Sequence, residues 1–209
     1  FIPLWKAHPF ISKVSITDLI PDRSATFAQD FDIDTFESAE QMLASDVDAV
    51  AIFAQRHLHG PIAIAALKAG KHVYSAVPMA TEVDEIEEIL KLVRETGLTY
   101  MMGETGFYYP NTVFCRRKNK EGAFGDFVYG ESAYYHDMDH GFYDAFKYSG
   151  GENWKRVAGA PPMHYPTHST APIIATTDSY VTKVSCFGYV DKSDDGLFGA
   201  GKNLSLIHI

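Results

Sequence analysis

Three histidines open the question of chemistry in this chain. His57 and His59 stand two apart just after an apolar run, and His168 closes the stretch Tyr165-Pro166-Thr167-His168 ahead of a helical pattern. Imidazole binds metals, and with an unperturbed pKa of about 6.5 it also moves protons near neutral pH. Histidines at i and i+2 on a loop, with no third ligand close by, are a weak zinc pattern, so no metal is expected. The lead-in to His168 is stiff at Pro166, which would fix the direction from which a helix starts and point the ring into a cleft. A packed core histidine is the plainer alternative. Asp18 is the other candidate, an acid ending a β-branched run at 13–17. In a dinucleotide-binding fold such an acid lies about 20 residues past a glycine loop and bonds the ribose hydroxyls. An ordinary strand-end turn residue would look the same. No G-x-G-x-x-G occurs in the chain, and counting back from Asp18 puts that loop before residue 1. Gly196 to Lys202 does fit G-x-x-x-x-G-K, but Asn203 follows where a magnesium-binding Ser or Thr belongs, so a flexible loop is expected there.

These residues must be held by elements, and the first hundred positions alternate strand with helix. Strands are expected at 13–17, 47–53, 72–76 and 98–102, and helices at 22–30, 35–44, 61–69 and 81–96. Residues 47–53 are nearly all apolar, as a strand buried on both faces should be. Gly70 and Gly97 mark helix ends. Thr81 with Asp84 resembles a capping box, and Val83, Ile86, Leu90 and Val93 form a stripe at helical spacing. This alternation predicts a Rossmann-like, doubly wound parallel sheet with helices on both faces, its first strand missing. After Gly103 the texture changes: a helix at 111–120, an alternating antiparallel strand at 127–136, a helix from His168, and a strand at 182–190. The expected division is a dinucleotide-binding domain at 1–103 and the start of an α+β substrate domain, with a mainly antiparallel sheet, at 104–209.

Composition excludes several classes. The chain has 209 residues, 46% hydrophobic, with 14 Phe and 12 Tyr to fill a core. A formal charge of −9 with no basic stripe argues against nucleic-acid binding, and Arg116-Arg117-Lys118 reads as a solvated helix face. No apolar run approaches the roughly 20 residues that span a bilayer. Cys115 and Cys186 are too few for a disulfide scaffold or a cysteine-rich zinc site and suit a reducing compartment. Cytoplasmic localisation is expected, with a periplasmic or secreted protein left open because the chain starts at Phe1 rather than Met. Residues 203–209 are abruptly apolar with no stop signal, which suggests a truncated or read-through tail.

The segment 46–80, DVDAVAIFAQRHLHGPIAIAALKAGKHVYSAVPMA, closely resembles the fourth-to-fifth-strand region of the Gfo/Idh/MocA oxidoreductase superfamily. That region runs from a D-V-D-A-V strand through an H-x-H loop and an A-L-x-A-G-K-H-V stretch to a short motif ending in Pro. With the Asp18 strand and the change of texture at Gly103, the resemblance covers the chain to about Asn203, as a fragment cut at both ends. It implies a nicotinamide cofactor, NAD rather than NADP, with Asp18, Arg56, His57, His59, Ala76, Val77 and Thr105 around it. Dehydrogenases of the superfamily carry E-K-P where this chain has Ala76-Val77-Pro78, and Val77 cannot polarise a hydroxyl as their lysine does. The NAD-dependent family 109 glycoside hydrolases have E-V-P there. They are also similar to this chain at MMGETGFYYP, ESAYYHD and YPTHSTAP, which places Glu104, Tyr134 and His168 as proton-handling catalytic residues. Tyr134, Arg156, Tyr165 and Thr167 are the implied substrate contacts.

The resemblance implies an enzyme acting on a sugar or sugar derivative by hydride transfer at a ring hydroxyl. Two other readings stand beside it. One is a glycoside hydrolase that oxidises transiently, eliminates the glycosidic group, adds water and returns the hydride. The other is a non-catalytic cofactor-binding paralogue, which should have lost Tyr134 and His168, and both are present. The implied partner is a small carbohydrate, with neither nucleic acid nor membrane, and the full-length protein is expected to be a homo-oligomer.

Overall fold

The computed structural model describes residues 1–134, 142–154, 166–191 and 203–208. A short helix α1 (Ile2–Lys6) precedes strand β1 (Ser15–Ile16), helix α2 (Pro21–Phe31), strand β2 (Asp34–Thr35) and helix α3 (Ala39–Ala44). Then come β3 (Ala49–Ile52), α4 (His59–Lys68), β4 (His72–Ser75), α5 (Val83–Thr96) and β5 (Tyr100–Met102). Helices α6 (Pro110–Lys120), α7 (Phe142–Gly150) and α8 (Thr167–Thr177) follow, with strands β6 (Phe187–Asp191) and β7 (Asn203–His208). β1 pairs parallel with β2, and β3–β4–β5 form a parallel three-stranded sheet; β6 and β7 are antiparallel. The parallel strands joined by helical crossovers are the Rossmann-like arrangement expected from the sequence. Among the described residues, no turn from a parallel strand into a helix carries a glycine-rich loop.

The core lies between the β3–β4–β5 sheet and helices α4 and α5. Val50, Ile52 and Val73 point from the sheet, and Ala63, Ala66, Leu67, Ile89 and Leu92 meet them from the helices. Two alanines on α4, both with no exposed surface, let that helix lie close on the sheet. The other face of β3 departs from expectation: Ala49 and Ala51 are exposed, so burial alternates. Beyond them on that side of the strand, Phe53 packs against α1, with Phe1 4.9 Å and Trp5 5.9 Å from it between ring centroids.

Other boundaries also shifted. The apolar stripe of α5 is real, but its buried centre is Ile89 and Leu92, while Val83 and Leu90 are exposed. The apolar arc is wide, and the contact with α4 selects which part of it faces inward. Thr81 forms no cap; α5 starts after Glu82 with no side-chain capping bond. A real cap sits on α3, where Ser38 accepts from the Gln41 N–H and Gln41 Oε1 accepts from the Glu37 N–H. Residues 35–38 therefore belong to β2 and the cap, not to the helix. The antiparallel strand expected at 127–136 is absent over its described part, 127–134: alternation makes no strand without a partner ladder. The strand expected at 182–190 is confined to β6, and the expected tail pairs with it as β7.

The turn after β5 is set by a close approach. A β-carbon at Gly103 would run into the hydroxyl and ring of Tyr74, whose ring packs over this backbone. Gly103→Ala should destabilise by about 1–3 kcal/mol, as overpacking does. Denaturant titration checks it, and the penalty should shrink in a Tyr74→Ala background; equal penalties in both backgrounds would contradict the packing argument.

Candidate active site

β4 and β5 end side by side, and their exits are tied together because the Gly103 N–H donates to Ser75 O at 2.7 Å. Ala76-Val77 and Glu104 consequently leave the sheet as neighbours at the carboxyl ends of parallel strands, where ligands bind in open α/β sheets. Glu104 caps the 3₁₀ turn Thr105–Tyr108, with its Oε1 accepting from the Gly106 N–H at 2.7 Å. The same oxygen lies 2.7 Å from His168 Nδ1, with side-chain exposures of 5% for Glu104 and 9% for His168. Tyr134 completes the cluster, its ring centroid 4.7 Å from that of His168 at a tilt of 58°. Three residues far apart in sequence thus meet in one place.

The helix bearing His168 is built for this contact. Pro172 sits inside α8 and has no N–H to offer the carbonyl four residues earlier, which is that of His168. Gly106 fills the space this leaves: a β-carbon there would lie 3.0 Å from Glu104 Oε1, 3.5 Å from His168 O and 3.7 Å from Pro172 Cδ. The turn carrying Glu104 can therefore press against the start of α8. With Nδ1–H donating to the carboxylate, the neutral imidazole carries its lone pair on Nε2, where it can take a proton. A buried carboxylate also stabilises the imidazolium that results.

Thr167 opens α8, and its Oγ1 is buried with no hydrogen-bond partner among the described residues. It borders a cavity of about 360 Å³ together with Glu104, Met101, Met102, Phe107, Tyr108 and Ile174. Asp18 is half-buried past the end of β1, and its Oδ1 accepts from the Ile20 N–H at 2.8 Å. Arg56 and His57 lie on the 3₁₀ turn after β3, His57 exposed and the Arg56 guanidinium 5.2 Å from the Phe146 ring centre. Thr105 is exposed, its Oγ1 3.4 Å from Tyr109 Oη. His59 differs from its neighbours: it is 1% exposed, and both ring nitrogens face backbone carbonyls. Arg156 and Tyr165 lie outside the described residues, as does the glycine-rich loop at 196–202. Sequence reasoning missed Gly106 and Pro172, although a glycine two residues past an acid and a proline inside a helical pattern were both visible.

Comparison with known proteins decides the family. Residues 1–104 match the model of the Gfo/Idh/MocA oxidoreductase family, described as an NAD-binding Rossmann fold. Through these residues the chain belongs to that family. A glycosyl hydrolase family 109 protein from Saccharopolyspora erythraea is 27% identical over 85% of this chain and 41% of its own length. Another protein of that description, from Shewanella amazonensis, is 30% identical over 61% of this chain and 28% of its own. The chain therefore spans well under half the length of these relatives. Among solved structures, a 3-ketoreductase from Actinomadura kijaniata in complex with NADP and TDP-benzene superposes with a TM-score of 0.53. It is 29% identical, over 58% of this chain and 38% of its own. Apo scyllo-inositol dehydrogenase from Lactobacillus casei shares the fold, with a TM-score of 0.55 at 22% identity over 60% of this chain and 38% of its own. No described helix of this Gfo/Idh/MocA chain is long and apolar enough to cross a membrane.

Proposed function

We propose that this chain carries the cofactor-facing and proton-handling part of an enzyme that oxidises a ring hydroxyl of a sugar or sugar derivative. The observation that carries the reading is the buried Glu104–His168 pair with Tyr134 beside it, at the carboxyl end of the parallel strands. The cofactor in this reading is NAD. Asp18 fits its ribose: one carboxylate oxygen is fixed by the Ile20 N–H, which orients the group to accept ribose hydroxyls and to repel a 2′-phosphate. Arg56, His57, Ala76, Val77 and Thr105 would line the remainder of the cofactor's path. Bound NAD supplies a two-electron acceptor for the carbinol C–H bond. His168 Nε2 takes the hydroxyl proton, and Glu104 holds the ring in the required tautomer and offsets the charge it gains. Tyr134 packs on the imidazole and faces the sugar, with Thr167, Arg156 and Tyr165 as further substrate contacts. Residues 1–103 are assigned to the cofactor domain and residues 104–209 to the substrate domain.

A second reading, NAD-dependent glycoside hydrolysis, is favoured by a specific feature. Val77 follows Ala76 where a hydroxyl-polarising lysine would serve net oxidation, and it has no polar group. In that scheme the same cluster also moves the proton next to the transient ketone. Product analysis of the complete enzyme with nitrophenyl glycosides, with and without NAD, separates the two. Net oxidation accumulates NADH in proportion to oxidised sugar, whereas hydrolysis releases nitrophenol with no NADH accumulating. Neither outcome on any glycoside or free sugar would overturn the catalytic reading.

A further inference from the structure

We propose that His59 is a positioning residue that clamps the two strand-end loops walling the cofactor side of the site. The functional half of this proposal rests on the NAD reading above. The β3–β4 ladder makes its last described rung where the Ala76 N–H donates to Ile52 O at 2.9 Å. Beyond it the backbone leaves the sheet through 53–58 on one side and 76–80 on the other. The His59 ring bridges the two: Nε2 lies 2.9 Å from Ala54 O, and Nδ1 lies 2.7 Å from Pro78 O. Ala54 is two residues past β3 and Pro78 three past β4, so the imidazole serves as an added rung built from a side chain. Both carbonyls can only accept, so the two arms of the clamp call for an N–H on each ring nitrogen.

The ring is itself firmly placed. The residue after it, Gly60, has no room for a β-carbon, which would meet the Glu85 carboxylate and lie 3.0 Å from Ala80 Cβ. The start of α4 is thus pressed against the start of α5 and against the end of the 76–80 loop. Arg56 and His57 fall between Ala54 and the clamp, and Val77 falls between the last sheet rung and Pro78. The short spans assigned to the cofactor are therefore bounded at both ends. Because Gly103 is bonded to Ser75, the same clamp also sets where Val77 stands relative to Glu104. His59 acts on the site through these loops and is turned away from any ligand by its burial.

Two conservative variants separate the two arms of the clamp. In His59→Gln the carboxamide nitrogen can reach the place of Nε2, keeping the bond to Ala54 and losing that to Pro78. In His59→Asn it can reach the place of Nδ1, with the opposite result. Hydrogen exchange read by mass spectrometry on this chain should show amides at 77–82 exchanging about tenfold faster in His59→Gln, with 53–58 little changed. His59→Asn should reverse the pattern, and amides at 86–93 in α5 should stay as in the wild type. The factor of about ten follows from leaving one carbonyl without its donor. Faster exchange spread evenly through α5, or no change in either loop, would overturn the clamp. In the complete enzyme, His59→Gln should weaken NAD binding by about tenfold while the pH profile of kcat is unchanged. Unaltered NAD affinity in a variant with the loosened loop would overturn the functional half. A wild-type enzyme without affinity for NAD would instead overturn the cofactor reading, with the exchange pattern deciding the clamp by itself.

Discussion

Replacing His168 by alanine in the complete enzyme is expected to lower kcat by about 100-fold or more, the usual cost of losing a general acid–base. The cluster geometry gives the reason. Glu104 bonds Nδ1 at 2.7 Å, so the proton-accepting position is Nε2. Alanine removes that position. Cofactor affinity should change little, since the proposed reading sets the ring against substrate rather than the adenosine half. A packed structural histidine predicts the opposite pattern, a lower melting temperature with near-normal turnover in the surviving folded protein. Both quantities can be read on one His168→Ala preparation, and unimpaired turnover would end the catalytic assignment.

The second large effect belongs to Glu104, which the geometry casts as the residue that orients His168. Glu104→Gln keeps a carbonyl oxygen for the Gly106 N–H and the imidazole, but removes the charge that stabilises the imidazolium. Loss of such an orienting partner lowers activity by about 10–100-fold, by analogy with outer-shell partners of histidine ligands. Because Glu104 acts through His168, the two effects should not add: the Glu104→Gln/His168→Ala double variant should turn over as slowly as His168→Ala alone. Multiplying losses would mean that Glu104 touches the substrate on its own account. Glu104→Ala should also cost about 1–3 kcal/mol of stability, because the buried Gly106 N–H would lose its acceptor.

Much of this was legible in the sequence because it is local. The strand-to-helix alternation through Met102 follows from apolar periodicity with glycine stops, and Gly70 and Gly97 do take the left-handed conformation, at φ +76° and +71°. The segment 46–80 carried the family through its joint motif, and the Tyr-Pro-Thr-His lead-in marked the start of α8. The misreadings share one physical cause: they needed knowledge of a partner. Ile89 and Leu92, rather than Leu90, face inward because α4 lies on that side. Residues 127–134 alternate like a strand, yet alternation becomes a ladder only beside another strand. Residues 203–208 read as part of a tail in the sequence, and β6 is the partner that makes them a strand.

The same division runs through the site. Residue types alone determined that Glu104, Tyr134 and His168 could move protons, that Asp18 could accept ribose hydroxyls, and that Val77 could not polarise a hydroxyl. Their division of labour came from tertiary structure. Glu104 and His168 stand 64 positions apart, and the close packing of Gly106 against the helix that holds Pro172 goes with one carboxylate oxygen lying on Nδ1. That contact gives two proton-handling candidates the geometry that the proposal reads as an orienting acid and an oriented base. His57 and His59 look alike in sequence, two residues apart on one loop. Helix α4 begins at the second, so one imidazole is left at the surface and the other is folded inward between two carbonyls. Spacing along a chain shows which side chains are near one another in sequence. Which way each one turns is settled by the backbone that must bury its polar groups against a partner.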